Sequence, residues 1–267
     1  MIDLTVHHLR FDLQVVDAIT LPGQKGSALR GALYAALRRH YCTGDSRGDP
    51  THSALCPVCR LLATESAEAA RGRDVPRPLT IEPPLQSRDD YEAGEIFGFG
   101  LSMVGSVSGL FPYLALAVPM MGREGVGRRL DRNGGARGRF ALRRIEAVNP
   151  LSGERQTLLN EAQEVVGLPS LPVTWELAQR VAEGLPTDTL ALRFLTPTRI
   201  VDAGRLVHRP LFRPLFQRLL ERLISLCEHF GGGKPDVNAR ALVEAAEAME
   251  LVEDSTAAHV GSNAPHR

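Results

Sequence analysis

The sequence predicts an α+β protein made of two tandem ferredoxin-like units, the second one incomplete. Three observations carry this. Residues 1–150 order as strand, helix, strand, strand, helix, strand, the split βαβ pattern that lays two helices on one face of a four-stranded antiparallel sheet. The apolar period changes along that order. Leu4, Val6, Leu9, Phe11, Leu13 and Val15 keep a period of two, with one slip near His7 and His8, whereas Leu29, Leu33, Ala36 and Leu37 share one stripe of a helix. From Thr189 the chain begins again with a strand and a long helix, and stops short of completing the plan.

In order, Ile2 to Thr20 reads as a long strand or hairpin edge, closed by the turn Leu21-Pro22-Gly23. Ser27 to Tyr41 is helical, with Ser27 or Gly26 as its cap. A second stripe of that helix carries Arg30, Tyr34, Arg38 and Tyr41, with Lys25 just before it; aromatic and basic groups on one face suit base stacking and phosphate contact, and they equally suit a solvated face. After a polar loop from Thr64 to Pro78, a strand over Leu79 to Leu85 ends at an edge, because Pro83 and Pro84 cannot donate to a ladder. Glu95 to Val104 is the next strand, Gly109 to Met121 a buried helix and Arg139 to Val148 the closing strand.

Residues 151–187 read as a proline-bearing linker with a helix from Thr174 to Glu183. The second unit, 188–253, opens with the strand TLALRFLTPTRI, turns at Asp202-Ala203-Gly204 and continues as an amphipathic helix from Pro210 to Phe230. Its inward stripe is Leu215, Leu219, Leu223, Leu226 and Phe230, and Gly231-Gly232-Gly233 stops it. A further helix lies within Asn238 to Val252, and 254–267 is a patternless tail.

Formal net charge is zero, so attraction to nucleic acid has to come from local clustering of charge. The clearest cluster is Gly122 to Ile145, a glycine-rich loop bearing Arg123, Arg128, Arg129, Arg132, Arg137 and Arg139. Glycine lets a backbone present N–H groups to an anion and arginine offers a planar fork to phosphate, so the loop reads as a phosphate cradle or as a solvated basic loop. No basic-then-apolar leader opens the chain, and the longest apolar stretch, Leu110 to Met121, falls short of the roughly 20 residues that cross a bilayer and contains Pro112 and Pro119. It belongs to a core, and no membrane partner is expected. Four cysteines without such a leader read as reduced thiols of a cytoplasmic protein. Three of them, Cys42, Cys56 and Cys59, form a C-x13-C-x2-C array suited to a structural zinc, with His40, His52 or Asp45 as the fourth ligand, or else are simply buried thiols.

GSALRGALYAALRRHYC with the following CPVC, MVGSVSGLFPYLALAVPMMGREGVG running into RGRFALRRI, and LRFLTPTRIVDAGRLVHRPLFRPLFQRLLERLISLCEHFGGG together resemble the CRISPR-associated endoribonucleases of the RAMP superfamily that cut precursor CRISPR RNA. The similarity spans about nine-tenths of the chain. It implies tandem ferredoxin-like domains flanking a basic cleft, precursor CRISPR RNA and other CRISPR-associated proteins as partners, and cleavage without a metal or other cofactor. In that reaction the 2′-hydroxyl attacks the adjacent phosphate and leaves a 2′,3′-cyclic phosphate. The matching region offers His40 as proton carrier, with Tyr34, Lys25, Tyr41 and Arg38 beside it, although His40 can equally close the core or bind metal. Arg30, Arg38 and the six loop arginines are the residues expected on RNA. Members continue past the position of Val252 with further strands and a glycine-rich loop, which are missing here; an inactive truncated form, or a subunit that holds guide RNA without cutting it, is the alternative expectation.

Overall fold

The computed structural model describes residues 2–42, 44, 50–62, 76–162 and 166–257. Strand β1 (Val6–Val15) is followed by the short β2 (Ile19–Thr20) and helix α1 (Lys25–Tyr41), then by the short helices α2 (Pro50–Leu55) and α3 (Pro57–Leu62). Strands β3 (Leu79–Glu82), β4 (Asp90–Tyr91) and β5 (Ile96–Val104) lead through a 3-10 turn, Gly105–Leu110, into α4 (Phe111–Glu124). Next come β6 (Val126–Leu130), β7 (Ala136–Gly138), β8 (Phe140–Val148) and β9 (Arg155–Leu159). Helix α5 (Trp175–Glu183), strands β10 (Val201–Asp202) and β11 (Arg205–Leu206), and helices α6 (Phe212–Phe230) and α7 (Ala239–Glu247) complete the set.

The main sheet runs β3-β5-β1-β8-β9, antiparallel at every pairing. Without β9 this is the ferredoxin-like strand order, so the α+β class and the split βαβ plan read from the sequence hold for the first unit. Alternation in β1 decides which face is buried. Leu9, Phe11, Leu13 and Val15 point under α1 and α4, where Phe11 stacks on Phe99 of β5 with ring centroids 5.0 Å apart and pairs across to Ile145 of β8. The residues between them make the outer face, where Arg144 bridges to Asp12 at 2.7 Å and His8 meets Ser102 at 2.9 Å. Leu29, Leu33, Ala36 and Leu37 of α1 and Leu114, Ala117, Val118 and Met121 of α4 close the core from above.

The 3-10 turn and α4 together make a run of 20 residues that is apolar enough to cross a membrane by length and composition, longer than inspection of the sequence isolates. It packs on α1 and β8 as a core helix of the domain.

Three expectations are corrected. The segment read as a strand over Thr189 to Ile200 forms none; Leu190, Leu192 and Leu195 stand exposed in irregular chain. A strand needs a neighbour to take up its backbone groups, and among the described residues the second unit offers only the two-residue hairpin β10–β11. Accordingly α6 buries little of its apolar stripe: Leu226 is covered, while Leu219 is 58% exposed. Second, the linker contributes β9 to the edge of the main sheet. Third, the Gly/Arg stretch is not a loop but the tail of α4 followed by the β6–β7 hairpin. Gly134 and Gly135, at positive φ, make its turn, whereas Gly122, Gly125, Gly127 and Gly138 serve packing. A Cβ on Gly127 or Gly138 would overlap the carbonyl oxygens of Thr20 and Ala18, so glycine is what lets the hairpin lie directly on the β2 segment.

The last turn of α6 docks on the first unit. Gly105, at φ 62°, takes the Phe230 carbonyl against its bare Cα, and the Gly232 N–H donates to the Asp3 carbonyl at 2.9 Å. Cys227 is buried beneath this contact, a packing residue as the sequence suggests.

Candidate nucleic-acid interface

While the C-terminal turn of α6 packs on the 3-10 turn Gly105–Leu110, a wide groove of about 2170 Å³ lies between α6, the exposed side of α1 and the chain from Pro76 to Asp89. Six cations line it, Lys25, Arg30, Arg77, Arg218, Arg222 and Lys234, against three acids, Asp89, Glu221 and Glu228. That excess stands out in a chain of zero net charge. Four of the cations are engaged with protein, among them Arg222, which donates to the Arg77 carbonyl at 3.2 Å, and Arg77, which lies over the Tyr34 ring. Lys25 is buried, and its Nζ donates to the Gln86 and Arg88 carbonyls at 2.6 Å each, closing the loop after β3 onto the start of α1. Arg218 pairs with Glu221 at 2.8 Å, an exposed pair of the kind worth little in water. Arg30 and Lys234 are exposed. Tyr34 lies on the groove wall with the Arg77 guanidinium 5.6 Å over its ring, and its buried hydroxyl has no hydrogen-bond partner among the described residues.

The stripe of α1 divides between two surroundings. Arg30 and Tyr34 reach the groove; Arg38 lies two turns further along the helix and Tyr41 packs edge-on against Tyr113 of α4, 5.8 Å between centroids. The proposed catalytic set does not assemble. Lys25 and His40 sit at opposite ends of α1, about 22 Å apart at the helical rise, so they do not serve one phosphate. His40 instead meets α4: its Nε2 lies 2.8 Å from Glu124 Oε1, an oxygen that also receives Arg39 at 2.9 Å. A carboxylate so placed fixes the orientation of the imidazole.

On the hairpin most arginine forks are engaged. Arg132 pairs with Glu92 at 2.9 Å; Arg139 pairs with Asp17, and that hydrogen bond holds the Asp17 carboxyl below the usual carboxylate range. Arg137 donates to the Gly127 carbonyl, Arg129 to the Gly135 carbonyl at 3.2 Å, and Arg123 lies against the Met120 sulfur. Arg128 is exposed and has no partner among the described residues. The hairpin is thus a packed element, held on the β2 segment by the close approach of Gly127 and Gly138.

Beyond the end of α1, Cys42, His52, Cys56 and Cys59 converge, their ligand atoms all within 4.8 Å of one another. Burial raises the Cys56 thiol, but hydrogen bonds from the Cys59 and Val58 N–H groups outweigh it and hold it below the usual thiol range. Cys59 is pushed up to about 12 by burial and by the neighbouring thiols of Cys56 and Cys42. Of the other suggested ligands, His40 is turned to Glu124, and Asp45 lies outside the described residues.

The AF_1859_N model, an N-terminal domain, matches residues 4–170, well over half of the chain. The chain belongs to the AF_1859_N family. The span assigned to AF_1859_N takes in the whole main sheet, the hairpin and the cysteine cluster, and ends before α5, so the α6 wall of the groove lies beyond it. Among solved structures the chain is similar to one in the crystal structure of a Csm3-Csm4 subcomplex of the type III-A CRISPR-Cas interference complex. The two share 16% identity over 70% of this chain and 100% of the other, with a TM-score of 0.40. No curated protein matches.

The sequence pointed to Arg30 and Tyr34 but not to Arg77, Arg222 or Lys234. These sit on three separate segments, and only the folding of α6 across the first unit brings them together.

Proposed function

We propose that this chain is a CRISPR-associated, RAMP-like subunit that binds the backbone of CRISPR RNA along the groove between α1 and α6. The groove carries the proposal: six cations against three acids, with the Tyr34 ring beside them, form a basic trough with an aromatic surface. Phosphate contact supplies affinity there and the ring supplies a stacking surface that tolerates any base. Exposed Leu190, Leu192, Leu195 and Leu219 give the second unit apolar surface suited to other proteins of the same assembly.

A second reading, cleavage of the precursor RNA, draws on one observation, the His40–Glu124 pair. There the imidazole would accept the 2′-hydroxyl proton while Glu124 steadies the resulting charge. Arg39 on the same carboxylate and Arg123 one residue from it provide positive charge for the phosphorane.

Titration of a labelled hairpin repeat RNA in magnesium-free buffer tests both. Binding is expected to weaken steeply with salt, the logarithmic slope steepening by about 0.7 for each phosphate neutralised. Affinity indifferent to salt removes the binding proposal. A cyclic-phosphate product made by the wild type and not by His40→Ala adds the cleavage reading, and RNA retained intact by both leaves the binding role alone.

A further inference from the structure

Four donor atoms at the end of α1 have the chemistry and spacing of one metal. Cys42 Sγ lies 3.3 Å from His52 Nε2 and 3.9 Å from Cys59 Sγ, and Cys56 Sγ completes a group spanning no more than 4.8 Å. A tetrahedral zinc with bonds of about 2.3 Å to sulfur and 2.0–2.1 Å to nitrogen sets neighbouring sulfurs about 3.8 Å apart and sulfur to nitrogen about 3.6 Å apart. The measured separations fall on both sides of those values. The cysteines are unbridged, and 3.9 Å is nearly twice a disulfide bond, so the sulfurs are gathered without being joined.

Local structure explains the gathering. Cys42 follows the last residue of α1; His52 lies on α2, Cys56 in the single-residue joint between α2 and α3, and Cys59 on α3. Cys56 and Cys59 are buried, and Cys42 and His52 are half-buried, so the four close on one point from inside the fold.

We infer that Cys42, His52, Cys56 and Cys59 bind one structural zinc ion, with His52 as the fourth ligand. Three thiolates and an imidazole favour zinc over hard cations such as magnesium or calcium, which take oxygen donors. Four protein ligands leave no open position for water or substrate, so the ion fastens structure and does no chemistry. It clamps α2 and α3 to the end of α1, two residues from His40. The α1·α3 packing then follows from metal as well as from Val58, Leu61 and Leu62, all buried in the core.

The experiment is metal analysis of the full chain purified without chelator, followed by exchange for cobalt. The expected results are one zinc per chain and, after exchange, the thiolate-to-cobalt charge-transfer and tetrahedral ligand-field absorption of an S₃N site. Cys59→Ser and His52→Ala should each lose most of the metal, His52→Cys should restore it with a spectrum shifted to S₄, and His40→Ala should keep full occupancy. Where Cys59→Ser fails to fold, the wild type decides: release of one zinc as a mercurial titrates the thiols supports the site. A wild type that folds stably without metal overturns the inference. So does a His52→Ala protein with unchanged cobalt spectrum, or loss of metal in His40→Ala instead.

Discussion

Gly105→Val is expected to detach α6 from the sheet while leaving the first unit folded. The residue adopts φ 62°, and a Cβ there would overlap the Phe230 carbonyl oxygen. A β-branched side chain in that conformation costs about 1–2 kcal/mol, and forcing it into a packed contact adds about 1–3 kcal/mol. Retreat of α6 relieves both. The helix has little to hold it back, since its described buried residues are Pro214, Leu226 and Cys227. Hydrogen exchange should therefore show Phe212–Phe230 amides losing protection while β1 and β5 keep theirs. RNA affinity should fall about tenfold as the groove loses one wall. Unchanged protection of α6 would mean that the docked geometry does not hold the helix.

Phe11→Ala should be the most damaging single change to the fold. Phe11 is fully buried on the central strand, stacked on Phe99 and opposite Ile145, with α1 and α4 above. Truncating a buried phenylalanine costs about 3–5 kcal/mol in lost transfer free energy and cavity. That is a large share of the 5–15 kcal/mol by which domains of about this size are stable. Thermal denaturation should show a transition lowered by many degrees or absent. A shift of only a degree or two would show that the core repacks around the space.

These two positions also mark what the sequence could and could not convey. Phe11 was legible because a sheet buried on one face enforces a period of two, and β1 keeps it from Leu9 to Val15. Gly105 carries no such pattern; its meaning comes from a carbonyl more than a hundred residues away. The same holds for the hairpin, where glycine and arginine look like a flexible basic loop and the reason for glycine is contact with the Ala18 and Thr20 carbonyls. The apolar residues of 189–200 mimic a strand, but strand formation depends on a partner that residue order alone does not supply. At the groove, Arg30 and Tyr34 could be read as one stripe because a helix fixes their spacing. Arg77, Arg222 and Lys234 could not, since they belong to segments brought together only by the docking of α6. For the cysteines, spacing named three ligands and left three choices for the fourth; the turn between α2 and α3 brings His52 to them.

The central claim is that RNA lies against α1 and α6 rather than along the hairpin. Paired charge reversals separate the two surfaces: Arg30→Glu with Lys234→Glu in the groove, Arg128→Glu with Arg129→Glu on the hairpin. The measurement is the salt dependence of repeat-RNA affinity for each pair, with folding checked by circular dichroism. The groove pair should bind about a hundredfold more weakly and lose about 1.4 from the slope, two phosphates' worth, while the hairpin pair changes affinity by no more than about threefold. A hairpin pair that loses binding, beside a groove pair that keeps it, would contradict the account.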